Sequence, residues 1–426
     1  MPAGPLRRVL RTRRKAIRRG SWIAGGLVVV LLLWNNGLHN IGSSTFAAND
    51  SCTPPEAVAD PQPPELPGTD RADLPDPKTI EGRTTAYTRT GEIAPIDANP
   101  ELSQRLPVTV KSSDGPEQTI TDTSRILALN QNGGLAAAVV GLGLGCNIIG
   151  RDVATNISGL MPEAEDVPLV TQNGHELNAE AVLNLAPTVI LTDTTIGPYD
   201  TQIQLRNAGV PVVFIPSSSE DGIHGVGDQI QAVGDALGLS ELGERLAKRT
   251  DAEISQTIQA IGAEQAPPDA EDKPRTVFLY LRGSIYYWFG RGSGADTLIQ
   301  GIGARDVATE VGFEGMSPTN SEALIKAAPD VIIVMTLGLE SVGGLDRALE
   351  LPGIRQTPAG KNRRIVDMSD YEVMSFGPRS ASVLAALSTA IYDPEHSYQP
   401  EHGPEAVEKR VEEIREERAQ DEGETE

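Results

Sequence analysis

Two segments of the chain repeat one residue pattern, and this repeat constrains the fold more than any other feature. Residues 177–191 read LNAEAVLNLAPTVIL and residues 319–333 read TNSEALIKAAPDVII, so that Asn, Glu, Ala and Pro coincide at a constant offset of 142 positions. Each copy predicts a short helix that is capped by Asn and carries Glu in its first turn, where the helix dipole favours an acid. Each then turns at Pro into a buried strand. Two equivalent α/β lobes are the simplest architecture that contains this repeat.

The segment between the two copies predicts how the lobes are joined. Apolar residues at helical spacing favour one amphipathic helix over residues 240–262, which would be about 35 Å long. Strands alternate with helices on both sides of it, as in parallel α/β sheets. We therefore predict an α/β fold of two Rossmann-like lobes, residues 121–239 and 274–393, joined by one long rigid helix.

Both ends of the chain have a non-globular composition. Residues 1–47 carry a basic stretch followed by a 13-residue apolar run, residues 22–34, which fits either a cleaved secretory signal or an uncleaved signal anchor. In both cases the body is extracytoplasmic. Residues 48–120 are rich in proline and predict a largely disordered spacer, with a candidate hairpin near its end. Residues 394–426 predict an acidic, mobile tail.

The charge balance excludes one class of partner. The formal net charge is −23, and the eight basic residues of segment 1–47 face no acid there, which leaves −31 on the other residues. Binding to nucleic acid phosphates requires a positive surface, so we expect no nucleic-acid partner. We also find no nucleophile elbow, P-loop or zinc signature, and we expect no enzymatic activity.

The two cysteines leave their state open. Cys52 and Cys146 are compatible with a disulfide in an oxidising compartment, and equally with a linker thiol and a buried small residue. Cys52 also occupies the position of a lipidated N-terminal cysteine, but the polar residues before it argue against a lipoprotein signal.

Aromatic residues are concentrated in one stretch. The chain holds 17 aromatic residues, and six of them lie between Phe278 and Phe289. A Tyr-x-Arg step, Tyr280 and Arg282, precedes the run at residues 286–289. This concentration favours either a flat, conjugated ligand or the core of a hairpin, and the run 286–289 fits a hairpin core as well as a ligand wall.

Taken together, the repeat, the long helix and three further motifs resemble the substrate-binding proteins of ABC importers for haem, siderophores and cobalamin. The resemblance covers roughly residues 124–392. Within this class, the segments NGHEL at 173–177, FLYLRG at 278–283 and VMTLGLESVGG at 334–344 are similar to the hemin-binding members. The resemblance implies a ligand in the cleft between the lobes, and it implies ferric haem as the transported ligand.

The resemblance also implies a role for individual residues. His175 and Tyr280 would be the two axial ligands of the haem iron, one from each lobe. Arg282 would support Tyr280, because a nearby cation favours the phenolate and so strengthens its bond to iron. Met335 would line the pocket, and it fits a core position equally well. Arg379, at the start of a predicted helix, is either the partner of a haem propionate or, as we prefer, a surface arginine.

The two glutamates of the repeat have a separate implied role. In the resembling class, one Glu per lobe docks to arginines of the permease dimer at the membrane, and Glu180 and Glu322 occupy those positions. We therefore expect an extracytoplasmic hemin-binding protein, tethered by its N-terminal segment, that delivers haem to an ABC permease and could receive it from haem-donating surface proteins. The alternatives are a siderophore- or cobalamin-binding protein of the same class, a wall-associated enzyme built on an α/β lobe pair, and an anchored structural module.

Overall fold

The computed structural model describes residues 52, 55–89, 93–155, 167–172, 175–218, 220–283, 285–318 and 320–400. The predicted signal or anchor segment and the tail from residue 401 lie outside the described residues. No helix in the described part of the chain is both long and apolar enough to cross a membrane.

The first lobe is built on a four-stranded parallel sheet with the strand order β5-β4-β8-β9. Strands β4, β8 and β9 are buried along their whole length, as expected when helices cover both faces of a parallel sheet. A hairpin and a short two-stranded ribbon accompany the sheet. The elements of this lobe are β2 (Val108–Lys111), β3 (Glu117–Ile120), β4 (Ile126–Leu129), α1 (Gly134–Gly141), β5 (Ile148–Gly150), β6 (Thr171–Gln172), β7 (Glu176–Leu177), α2 (Ala179–Asn184), β8 (Val189–Thr192), α3 (Tyr199–Asn207), β9 (Val212–Phe214) and α4 (Val226–Ala236).

One helix, α5 (Ser240–Glu264), connects the lobes. Its 25 residues span about 37 Å. Leu242, Leu246 and Ile254 are buried on one face, against α4 of the first lobe and the last helix of the second. The helix continues two residues past Gly262, because that glycine keeps helical backbone geometry and does not end the helix.

The second lobe is a seven-stranded mixed sheet with the order β1-β15-β14-β10-β11-β13, and β12 pairs with β10. Its core strands β10, β14 and β15 are parallel, whereas β11 and β13 run antiparallel at one side. The elements are β1 (Thr84–Ala86), β10 (Arg275–Arg282), β11 (Ile285–Phe289), α6 (Ala295–Gly301), β12 (Arg305–Asp306), α7 (Val307–Glu310), β13 (Met316–Pro318), α8 (Ser321–Ala327), β14 (Val331–Met335), α9 (Thr336–Ser341), α10 (Gly344–Glu350), α11 (Pro358–Lys361), β15 (Ile365–Met368) and α12 (Ser380–Tyr392). The predicted fold class, two α/β lobes joined by one long helix, is confirmed.

The repeat has the same local structure in both lobes. Asn178 and Asn320 cap α2 and α8, accepting hydrogen bonds of 3.0 Å and 2.7 Å from the backbone N–H three residues on. Each helix is followed within two residues by an alanine with φ of 46°, Ala186 after α2 and Ala328 after α8. The two copies of the repeat are therefore equivalent in three dimensions as well as in sequence.

Two further pairs extend this equivalence. Arg125, just before β4, donates from Nε to the carbonyl of Ala186 over 3.0 Å, and Arg275, at the start of β10, does the same to Ala327 over 3.0 Å. The pentapeptide Arg-Asp-Val-Ala-Thr occurs at 151–155 and again at 305–309. In both copies the aspartate is buried and accepts hydrogen bonds from the backbone of the following turn.

The proline-rich segment departs from our expectation of a largely disordered spacer. Its β1 is a parallel edge strand of the second lobe, paired with β15. Ala86, Ile93 and Ile96 are buried in the main core, and Arg249 of α5 donates to the carbonyls of Val58 and Ala94. A few apolar residues spaced between prolines suffice to order the segment because the two lobes and α5 offer a preformed surface.

The cysteines form a disulfide. Cys52 and Cys146 are joined, with their Cα atoms 5.7 Å apart, and the bond closes a loop of 94 residues. The beginning of the proline-rich segment is thereby fixed to the first lobe, at the 3-10 helix Gly145–Asn147 that contains Cys146.

Candidate functional site

The aromatic run of residues 286–289 is divided between the two faces of the second-lobe sheet. Side chains alternate along a strand, and Trp288 of β11 is fully buried with Leu279 in a core on one face. Trp288 stacks on Phe313 there, with ring centroids 4.6 Å apart. Tyr287 and Phe289 lie on the opposite face. Alternate residues of the run therefore belong to the core and to a candidate ligand wall.

Tyr280 lies on the same face as Tyr287 and Phe289. It is paired directly with Tyr287 across β10 and β11, and its ring centroid is 6.4 Å from that of Tyr287 and 6.4 Å from that of Phe289. The side chain is half-buried. No hydrogen bond to the Tyr280 hydroxyl occurs within the described residues, so its oxygen is free to meet a ligand.

Arg282 ends β10 two residues after Tyr280, on the same face, and is exposed. It makes no ion pair with any of the described residues and no hydrogen bond to Tyr280. Arg282 thus places a cation on the strand face of the Tyr280 phenol, and neither side chain has a hydrogen-bond partner among the described residues.

Met335 extends this face on the other side of β10. Phe278 is in register with Ile333 of β14, and continuing that register sets Met335 beside Tyr280. Met335 is half-buried and packs against the main core. Packing against the core agrees with one interpretation of Met335, and its role in lining a pocket stays a prediction.

Sequence reasoning missed one residue of this face. Met316 of the edge strand β13 is paired with Phe289, which sets it on the face that carries Tyr280. It is 56% exposed, unusually open for a large apolar side chain. Nothing in the sequence marked it, because two helices and a short strand separate β11 from β13 along the chain and their pairing leaves no local pattern.

His175 lies in the first lobe, in the turn between β6 and β7, and is exposed. Its carbonyl oxygen accepts a hydrogen bond of 2.9 Å from the N–H of Gly197, which fixes the backbone of the turn. Its neighbours Asn173 and Gly174 lie outside the described residues. No hydrogen bond or ring contact joins His175 to Tyr280 in the described parts of the two lobes, so the structure leaves each on its own lobe.

A buried carboxylate behind the second-lobe face, that of Asp367, is held by several hydrogen bonds. Asp367 of β15 is fully buried and accepts from Arg83 Nε over 2.8 Å, and from the hydroxyls of Thr85 and Thr336 over 3.1 Å and 2.9 Å. These bonds attach β1 to the carboxyl ends of β14 and β15. They fix the backbone that presents Met335.

Arg379 is buried, contrary to our expectation of a surface arginine. It is only 4% exposed, and the nearest carboxylate, that of Glu372, is 3.7 Å away. Its Nη1 and Nη2 have no hydrogen-bond partner among the described residues. Burial lowers the pKa of its guanidinium. Its position just before α12, in contact with the lobe core, outweighs the polar character of its side chain.

Residues 132–372 match the periplasmic binding protein family. The chain belongs to this family. No curated protein matches the chain. Among solved structures, the heme binding protein HmuT is 37% identical, with a TM-score of 0.68 over 75% of this chain and 100% of its own.

Other periplasmic binding proteins are similar at lower identity. The periplasmic heme-binding protein RhuT from Roseiflexus sp. RS-1 is 33% identical over 64% of this chain and 99% of its own, with a TM-score of 0.56. The heme-binding protein HutB of Vibrio cholerae is 26% identical over 64% and 100%, with a TM-score of 0.53. Membership of the family implies an extracytoplasmic location.

The two repeat glutamates lie on helices and not on the strand face that carries Tyr280. Glu180 of α2 and Glu322 of α8 are both exposed. Neither forms an ion pair with any of the described residues. Each is thus available to a partner.

A separate cavity of about 280 Å³ lies between the proline-rich segment and α12, lined by Tyr87, Ala385 and Tyr398 among others. It contains none of the predicted site residues. No group of three or more His, Cys, Asp or Glu side chains within the described ranges could hold a metal ion. A metal bound through two protein ligands inside a larger organic ligand would not need such a group.

Proposed function

We propose that this periplasmic binding protein binds haem between its lobes and delivers it to an ABC permease. The observation that carries the proposal is the aromatic face around Tyr280, whose hydroxyl has no hydrogen-bond partner in the described part of the chain. It is supported by 37% identity to HmuT over the whole length of that heme-binding structure. The protein performs no chemistry on its cargo in this proposal.

His175 and Tyr280 are the axial ligands in this proposal, one from each lobe. Ferric iron accepts imidazole and tyrosinate, and free tyrosine has a pKa near 10. Arg282 would favour the phenolate when the cleft holds haem. Solved HmuT structures include variants with a histidine, a tyrosine or an arginine replaced by alanine, and the replaced tyrosine and arginine are two positions apart, as Tyr280 and Arg282 are.

The wall of the pocket consists of apolar side chains on the same face. A porphyrin is a large flat apolar plate, and such ligands are held mostly by aromatic and aliphatic contacts. Tyr287, Phe289 and Met335 supply these contacts from three positions around Tyr280. Met316 adds a thioether at the open edge of the sheet.

Glu180 and Glu322 dock the loaded protein to a permease dimer, one on each lobe. Such exposed carboxylates act mainly by steering and orienting the complex. The N-terminal segment tethers the body to the membrane, and haem arrives either free or from surface donors. The disulfide suits an oxidising compartment outside the cytoplasm.

A direct binding comparison tests this function against its nearest alternatives. Purified protein is titrated separately with hemin, a ferric siderophore and cobalamin, and the visible spectrum and the quenching of tryptophan fluorescence are recorded. We expect a saturable Soret shift with hemin at one equivalent and no saturable change with the other two. Saturable binding of a siderophore or cobalamin without a hemin response would transfer the function to that ligand. No response to any of them would favour a structural module.

A further inference from the structure

Each lobe exposes one large apolar side chain at the same place in the repeat. Leu183 on α2 is 48% exposed, and Ile325 on α8 is 43% exposed. The two positions are 142 apart, which is the offset of the repeat, and each lies three residues after the glutamate of its copy.

These side chains are not needed by the core. Val182 and Leu324, the residues immediately before them, are fully buried and supply the apolar contact of each helix with its lobe. A single exposed apolar residue on a surface requires no explanation. Both lobes nevertheless expose an apolar residue at the same position of the repeat. In each lobe it lies beside a glutamate that forms no ion pair with the described residues. We therefore treat the two sites as one shared surface feature.

The glutamate and the apolar residue of each copy face the same direction. Residues three apart on a helix are neighbours on one side of it, so Glu180 lies beside Leu183 and Glu322 beside Ile325. The asparagine caps hold the first turn of both helices, and the arginine bonds hold the backbone at the end of α8 and just past the end of α2. Each lobe thus presents a small rigid patch of one carboxylate and one branched apolar side chain.

We propose that Leu183 and Ile325 are paired apolar anchors for a two-fold symmetric membrane partner. Each partner subunit would offer a cation to the glutamate and an apolar recess to the neighbouring Leu or Ile. A homodimer displays one surface twice, and the repeat displays its complement twice. The inference rests on the proposed delivery to a permease and adds an apolar contact beside each glutamate.

A second copy of this chain is a poorer occupant of the same face. Symmetric self-association through these patches would bring carboxylate towards carboxylate, and the chain as a whole carries a net charge of −23. A partner with basic groups around apolar recesses satisfies both halves of each patch.

The test measures affinity of the haem-loaded protein for the ABC haem permease of the source cell, held in lipid nanodiscs. Variants are Leu183→Gln, Ile325→Gln and the double variant. The conservative pair Leu183→Met and Ile325→Met and the substitution Leu102→Gln, at a 77% exposed leucine outside the repeat, serve as controls. Sedimentation of each variant reports self-association.

We expect each Gln substitution to weaken permease binding roughly tenfold and the double variant roughly a hundredfold. The Met variants and Leu102→Gln should bind as the original protein does, and hemin spectra should be unchanged throughout. Full affinity in both single variants, or a loss in one lobe only, would overturn the inference while leaving haem delivery intact. A dimer of the original protein that Leu183→Gln dissociates would assign the patches to self-association instead. Absence of permease binding by the original protein would overturn the delivery function itself.

Discussion

Tyr280 lies directly opposite Tyr287 across the antiparallel strands β10 and β11, with their ring centroids 6.4 Å apart. Cross-strand neighbours of this kind stabilise each other's position on a sheet. The pairing holds the Tyr280 ring from one side and leaves its hydroxyl oxygen without a partner among the described residues. A fixed ring with an oxygen that no other described residue uses suits a tyrosine that binds iron.

The alternation along β11 predicts opposite effects for two adjacent aromatic residues. Trp288→Ala should lower the free energy of unfolding by about 3 to 5 kcal/mol, because it empties a fully buried site against Phe313. Tyr287→Ala should cost about 1 kcal/mol in stability, because its ring contacts are partly exposed, and should weaken hemin binding. Denaturant unfolding and hemin titration of both variants measure this. Equal losses of stability would contradict the assignment of the two faces.

The disulfide should contribute to stability through the long loop that it closes. Cys52→Ser together with Cys146→Ser should lower the free energy of unfolding by about 2 to 4 kcal/mol, since the cross-link limits the unfolded chain. The double variant should also be cut faster by protease in residues 55–82, because the segment loses its covalent attachment to the first lobe. A reduced original protein is the matched control. Unchanged stability and protection in both would show that packing alone fixes the segment.

The buried carboxyl group of Asp152 should make the free energy of unfolding depend on pH. Burial raises the pKa of its carboxyl group to about 6, although Asn130 and Thr155 donate hydrogen bonds to it. The folded state therefore binds a proton between about pH 4 and 6 that the unfolded state does not, and stability falls as pH rises through this window.

The substitution Asp152→Asn removes this contribution. The difference in unfolding free energy between the variant and the original protein should shift in favour of the variant by about 2 to 3 kcal/mol from pH 4 to pH 7.5. The altered hydrogen bonding of the amide adds a constant that does not change this slope. Urea unfolding across the pH range measures it, and parallel pH profiles for the two proteins would refute the assignment to Asp152.

The repeat explains why the fold could be predicted from sequence. Asn caps, first-turn acids and the turn before Pro187 and Pro329 are local signals, and each is legible within about fifteen residues. Their recurrence at a constant offset predicts two lobes without any knowledge of long-range contacts. The long helix is predicted by its apolar periodicity over residues 240–262, and the observed helix extends to Glu264.

The features that sequence reasoning missed depend on contacts between distant segments. The proline-rich segment is ordered by β15, more than 270 residues further along the chain, and by α5. The position of Met316 depends on a strand pairing that no local pattern encodes. Burial of Arg379 follows from where α12 begins against the lobes, and composition favours the surface for an arginine.

Hemin titration of the original protein beside His175→Ala, Tyr280→Phe and the double variant tests the central claim most directly. Tyr280→Phe keeps the ring and its contacts with Tyr287 and Phe289, so that only the oxygen is removed. We predict a one-to-one Soret shift for the original protein, an altered spectrum with weaker binding in each single variant, and loss of saturable binding in the double variant. A double variant with the spectrum and affinity of the original protein would contradict iron ligation by these two residues.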